Sequence, residues 1–218
     1  MSVFLWPRRS LGTLFLALML AACGDNGQVS GSSGAAPTPF QSTDITGAPI
    51  GSDPAQGSAS SPFLTLTDHH GKPRSLADFR GKVVVLFFGY THCPDVCPTT
   101  MSELASAMKQ LGPQAREVQV LFVSVDPERD PPELLARYVP AFDPSFIGLT
   151  GSPAEVKSVA DRFKIVYQKV NGSDEKNYTV DHSAGSYIFD KTGKLRLFVS
   201  YGAGAKVFAH DIGLLLKS

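Results

Sequence analysis

The chain has 218 residues, 43% of them hydrophobic and 18% charged, which suits one ordinary globular domain with a real core plus some extra segments and leaves two full domains crowded. Lys+Arg and Asp+Glu both number 20, so the formal net charge is zero. That balance offers no polybasic surface for nucleic acid or an anionic membrane, and there is no charge block and no internal repeat.

Arg8 and Arg9 precede an almost wholly apolar run from Leu11 to Ala22, and Leu20-Ala21-Ala22-Cys23 closes it with small residues before a cysteine. Charged, then apolar, then small is the order of a secretory signal peptide. The ending resembles the lipobox of bacterial lipoproteins, which implies lipidation of Cys23 as the first mature residue. A transmembrane reading fits poorly, because the run is well short of the roughly 20 residues that cross a bilayer. Residues 1–22 are therefore expected to be a signal peptide, and residues 23–39 a lipid-anchored flexible linker. From Gly24 to Ser61, 24 residues are Gly, Ser, Pro or Ala. If the flexible part is Gly24 to Pro39, its r.m.s. reach is about 20–25 Å.

Beyond Pro62, short apolar runs alternate with amphipathic ones. Phe63 to Thr67 alternates as a strand does, and Asp68-His69-His70-Gly71 reads as a turn in which both histidines are solvated. Lys82 to Gly89 holds a continuous β-branched and aromatic run suited to a buried central strand. Thr99 to Leu111 repeats Met101, Leu104, Met108 and Leu111 at helical spacing. Pro98 suits the first helical turn, where its missing donor costs nothing. Val118 to Val125 reads as a second buried strand, Pro132 to Val139 and Pro153 to Phe163 as further helices. Ser186 to Phe189 and Leu195 to Ser200 form a hairpin turned at Asp190-Lys191-Thr192-Gly193, and Val207 to Leu216 is a closing helix. This order predicts an α/β fold around a mixed sheet.

Cys93 and Cys97 follow the first buried strand directly, at the end of a central strand entering a helix, where open α/β sheets place chemistry. Residues i and i+4 are neighbours on a helix face, so both sulfurs can lie to one side. A helix N-terminus also favours the thiolate. With Cys23 lipidated, these are the only thiols of the exported part, and in an oxidising compartment such a pair closes unless a metal or a reductant intervenes. Spacing alone leaves three readings open: a structural disulfide, a dithiol oxidoreductase, or a soft-metal site.

The run Phe88-Gly89-Tyr90-Thr91-His92-Cys93-Pro94-Asp95-Val96-Cys97-Pro98-Thr99-Thr100 resembles the signature of the Sco/SenC family, copper-binding proteins connected with cytochrome c oxidase assembly. Val125-Asp126-Pro127-Glu128-Arg129-Asp130, Val180-Asp181-His182-Ser183 and the opening Asp44-Ile45-Thr46-Gly47 are similar to further family segments, in the same order. The resemblance implies a thioredoxin-like central mixed sheet flanked by helices, with an N-terminal β extension, over residues 40–218. It implies copper held by Cys93, Cys97 and His182, with the cysteine pair also redox-active and able to form a disulfide. Two thiolates and a neutral imidazole sum to minus one with Cu(I) and to zero with Cu(II), so both states are tolerable. Cytochrome c oxidase subunit II is the implied acceptor, with a periplasmic thiol reductant or another copper chaperone as a second partner. The function implied is a copper metallochaperone; a thiol-disulfide oxidoreductase that keeps acceptor cysteines reduced, or a redox sensor, is the alternative, with a peroxidase more distant. Ordinary thioredoxins carry a cis-proline before the strand facing their cysteines, whereas Ala184-Gly185 stands here, which argues against a general peptide groove.

Among the remaining residues, His92 is a spare ligand or a tuner of Cys93, and His210 a surface or packing residue. Asp95 either attracts a cation or begins the helix. Asp126 either supports the site electrostatically or caps its loop. Pro94 and Pro98 stiffen the loop and fix the sulfur geometry.

Overall fold

The computed structural model describes residues 65–174 and 177–217. The signal segment, the lipidation at Cys23, the linker and the Asp44-Ile45-Thr46-Gly47 segment lie outside the described residues.

The chain enters through a small hairpin, β1 (Leu66–Asp68) and β2 (Pro73–Arg74). It then runs through β3 (Val83–Gly89), α1 (Val96–Leu111), β4 (Val118–Ser124), α2 (Pro132–Tyr138), β5 (Ile147–Thr150) and α3 (Pro153–Arg162). The hairpin β6 (Tyr167–Asp174) and β7 (Asn177–His182) follows, then β8 (Gly185–Phe189), β9 (Leu195–Ser200) and α4 (Ala205–Leu216). Seven strands form one mixed sheet in the order β2-β1-β5-β4-β3-β8-β9, and β6 and β7 form a separate two-stranded sheet. The order is that of a thioredoxin-like domain, and β1–β2 is the part of the expected N-terminal β extension that falls among the described residues.

Local chemistry explains the centre of this arrangement. All seven residues of β3 and all seven of β4 are buried, and the two strands pair in parallel from Val83↔Val118 to Gly89↔Ser124. A parallel strand covered on both faces reads as a continuous apolar run. Successive side chains of β3 point to opposite faces: Phe87 meets Phe122 of β4 at 6.1 Å, while Phe88 meets Phe163, just past α3, at 5.4 Å. α1 packs against α4. α3 is started by a capping box, with Ser152 and Glu155 satisfying each other's backbone amides and Pro153 at the first position.

The sequence pattern placed β3, β4, the helices and the β8–β9 hairpin within a few residues. It did not predict β5 or the β6–β7 hairpin. The turn after β1 also differs from expectation: His70 is exposed, but His69 is 7% exposed and its Nδ1 accepts the Gly148 N–H at 2.9 Å. The cause is tertiary. β1 pairs antiparallel with β5, which folds the turn onto Gly148, and burial pushes the His69 pKa down.

Candidate metal centre

β3 ends at Gly89, and the chain turns through Tyr90 to Cys93, whose N–H donates to the Tyr90 carbonyl at 3.3 Å. α1 starts at Val96 with Asp95 as N-cap, so Cys97 stands in the first turn, where backbone amides have no helical partner. The Cys97 N–H donates to Cys93 Sγ at 3.4 Å, the local consequence of the four-residue spacing. Cys93 is half-buried, Cys97 is buried, and both are free thiols.

The expectation that the helix terminus lowers the thiol pKa is not met at Cys97. Burial pushes that thiol well up, and the hydrogen bond with Cys93 adds to the shift. The sulfur lies against Gly89 in the core, fully buried, and there desolvation outweighs the helix-end dipole.

His182 comes from the end of β7, far away in sequence. Its Nε2 is 3.6 Å from Cys97 Sγ, and one donor atom each from Cys93, Cys97 and His182 lies within 4.8 Å of the others. His182 Nδ1 lies 3.1 Å from the Ser183 carbonyl oxygen, which accepts from an Nδ1–H tautomer and leaves the Nε2 lone pair facing the sulfurs. Burial pushes the His182 pKa below its ordinary 6.5, so the ring is held in the neutral form a metal needs. The Tyr90 ring stands edge-on to the imidazole at 6.0 Å, and the Tyr90 hydroxyl accepts the Val180 N–H at 3.2 Å. Two soft sulfurs and one imidazole, closely grouped and partly withdrawn from water, suit a soft transition metal such as copper.

The other proposed residues separate clearly. His92 is not part of the Cys93, Cys97 and His182 cluster: its Nδ1 lies 3.1 Å from Thr91 Oγ1 and 3.9 Å from Asp130 Oδ1, and about half of its side chain (52%) is exposed. Asp95 is exposed and serves as the helix N-cap residue. His210 pairs with Asp211 at 2.9 Å on α4. Asp126 is buried and accepts from Arg129 Nε at 2.5 Å and from the Tyr178 hydroxyl at 2.7 Å. It therefore holds its loop and the β7 strand together, and its own N–H donates to Ser124 Oγ at 3.0 Å, which links it to Asp130 as well.

Asp130 was not singled out in the sequence. It is fully buried, accepts the Thr91 N–H at 3.0 Å and hydroxyls from Thr91 and Ser124 at 2.6 Å each, and so fixes the turn that leads into Cys93. Burial pushes its pKa up despite those donors. The signal available was its place in the same Asp126–Asp130 segment, four residues beyond a carboxylate already noted.

Fold and site together define a thioredoxin-like domain in which a dithiol at the head of a helix faces a histidine supplied by a separate hairpin. The chain belongs to the SCO1/SenC family, whose model matches residues 38–217. An SCO2-like protein of Rickettsia typhi is 40% identical over 130 residues, covering 59% of this chain and 64% of its own length. The mitochondrial SCO2 homologue of Bos taurus is 41% identical over 145 residues, 66% of this chain and 53% of that protein, so the match spans between half and two thirds of these relatives. The solved structure of Bradyrhizobium japonicum ScoI with copper bound is 38% identical, with a TM-score of 0.65, and covers 70% of this chain and 96% of that one. Among the described residues, no helix is long and apolar enough to cross a membrane.

Proposed function

We propose that this protein binds copper through Cys93 Sγ, Cys97 Sγ and His182 Nε2, and delivers it to, or helps insert it into, the binuclear copper site of cytochrome c oxidase subunit II. The observation that carries the reading is the grouping of these three donor atoms within 4.8 Å, from segments far apart in the chain. Copper bound in a family member 38% identical to this chain supports the choice of metal, and the family's connection with cytochrome c oxidase assembly supports the acceptor. Copper is cargo here. Thiolates favour the cuprous ion, and the imidazole accommodates the cupric one.

Cys93 and Cys97 must lose their protons to bind, so loading releases protons into solution. Oxidation of the pair to a disulfide removes both sulfur ligands. A thiol reductant that returns two electrons and two protons to the pair therefore belongs to the cycle, and another copper chaperone is the source of the metal once the thiols are open. Lipidation at Cys23 would hold the domain on the extracytoplasmic side of a membrane, with residues 23–39 as the tether. That placement keeps it near a membrane-embedded acceptor.

A second reading has one specific observation in its favour. The two free sulfurs adjoin each other, with the Cys97 N–H on Cys93 Sγ, an arrangement suited to thiol-disulfide exchange with acceptor cysteines or to redox sensing. Only the copper reading requires His182. Replacing it by Ala and measuring copper affinity beside dithiol activity on an acceptor peptide separates the two. Copper affinity should fall while dithiol exchange persists; unchanged copper affinity would remove His182 from the site, and normal oxidase maturation by the variant would favour the thiol role.

A further inference from the structure

The hairpin that carries His182 is not part of the main sheet. An isolated two-stranded ribbon is marginal in water, so its position depends on how its side chains are anchored. Along β7, Tyr178, Val180 and His182 share one face, because alternate residues of a strand point the same way. That face turns inward: Val180 is buried, Tyr178 and His182 are half-buried, and Asn177, Thr179 and Asp181 are exposed.

Tyr178 is gripped by the loop that follows β4. Its hydroxyl donates to Asp126 Oδ1 at 2.7 Å, and its carbonyl accepts from Arg129 Nη1 at 3.0 Å. The Arg129 guanidinium also lies 3.5 Å from the centre of the Tyr178 ring, within cation–π range. The second oxygen of Asp126 takes Arg129 Nε at 2.5 Å, so one buried carboxylate and one guanidinium hold each other and the tyrosine. Lys169 of β6 reaches the same ring at 4.8 Å and pairs with Glu128 of the loop.

We infer that this Tyr178–Asp126–Arg129 clasp is a positioning element for His182 and, beside the Tyr90 hydroxyl that holds the Val180 N–H, fixes where the imidazole stands relative to Cys93 and Cys97. The inference rests on the copper reading above. None of the three residues touches the metal; they act through the strand. Opening the clasp leaves the dithiol at the head of α1 intact and frees the imidazole, so the site keeps the donors that suit Cu(I) and loses the one that suits Cu(II).

The test uses the full-length protein with Tyr178→Ala, Tyr178→Phe, His182→Ala and the double variant Tyr178→Ala with His182→Ala. Two quantities are read: amide hydrogen exchange in metal-free protein, and Cu(II) and Cu(I) affinity by chelator competition. Tyr178→Ala should speed exchange in β7 and leave β3 and α1 unchanged. It should weaken Cu(II) about 10- to 100-fold, the usual scale for losing an outer-shell support, and weaken Cu(I) much less. Tyr178→Phe, which keeps the ring over Arg129 and loses only the hydroxyl, should fall between Tyr178→Ala and the unaltered protein, and it gives the answer if the alanine variant does not fold.

In the His182→Ala background, Tyr178→Ala should cost no further Cu(II) affinity, because the clasp has no imidazole left to position. An equal loss in both backgrounds, or unaltered Cu(II) affinity with β7 exchange already fast, would overturn the inference. If His182→Ala alone leaves copper binding untouched, the ligand assignment fails, whereas unchanged β7 exchange in metal-free Tyr178→Ala refutes the clasp by itself.

Discussion

Gly89 ends β3 with no side chain because the Cys97 sulfur occupies that space: a Cβ there would lie 2.9 Å from Cys97 Sγ and 2.9 Å from the Phe122 ring. Gly89→Ala should push the sulfur off its seat, lowering stability by about 1–3 kcal/mol and copper affinity with it; urea unfolding and chelator competition read the two. The thiols carry a pH prediction as well. Burial holds the Cys97 pKa up, so the metal must displace its proton, and apparent copper affinity should fall as pH is lowered. Cys93 and Cys97 were legible because four residues of local chain fix their relation. His182 lies 85 residues from Cys97, and only the family resemblance pointed to it. His69 was misread for the complementary reason, since its burial is created by β5 and nothing in its own turn announces it.

At the scale of elements, the turn joining β1 to β2 is built on one carboxylate. Asp68 accepts from the His70 and Lys72 amides at 2.9 Å each and from Arg74 Nε at 2.7 Å. Burial alone would push its pKa up, but Arg74 and the two amides outweigh it and hold the carboxyl below its ordinary value of 3.8. A depressed pKa favours the fold above the unfolded value, so this contribution is present at neutral pH and is lost as pH falls below about 3.8. Asp68→Asn should therefore cost about 1–3 kcal/mol at pH 7 and flatten the acid limb of the stability curve, measured by denaturant unfolding across pH. Long apolar runs and periodic helices were readable as elements because each carries its own period. β5 has four residues, too few to establish a pattern. β7 alternates between an inward and an outward face, yet its inward residues include Tyr178 and His182, so polarity conceals the alternation.

For the whole molecule, the centre joins two separately built parts: cysteines from the main sheet and α1, and a histidine from an independent hairpin. Mixed α/β order was visible in the sequence, while strand order and the separation of β6–β7 are set by long-range pairing. A metal bridging both parts stabilises the native state by mass action, about 2.7 kcal/mol when free metal is a hundredfold above Kd. For a domain of this size that is roughly 5–10 °C in Tm. Calorimetry with and without copper should show that rise, reduced in His182→Ala and absent in Cys93→Ser with Cys97→Ser.

X-ray absorption spectroscopy on the copper-loaded, full-length protein addresses the ligand set itself. Copper should be coordinated by two sulfur atoms and one imidazole nitrogen, with the imidazole signature lost in His182→Ala. A first shell of sulfur alone, or one of nitrogen and oxygen without two sulfurs, would contradict that ligand set.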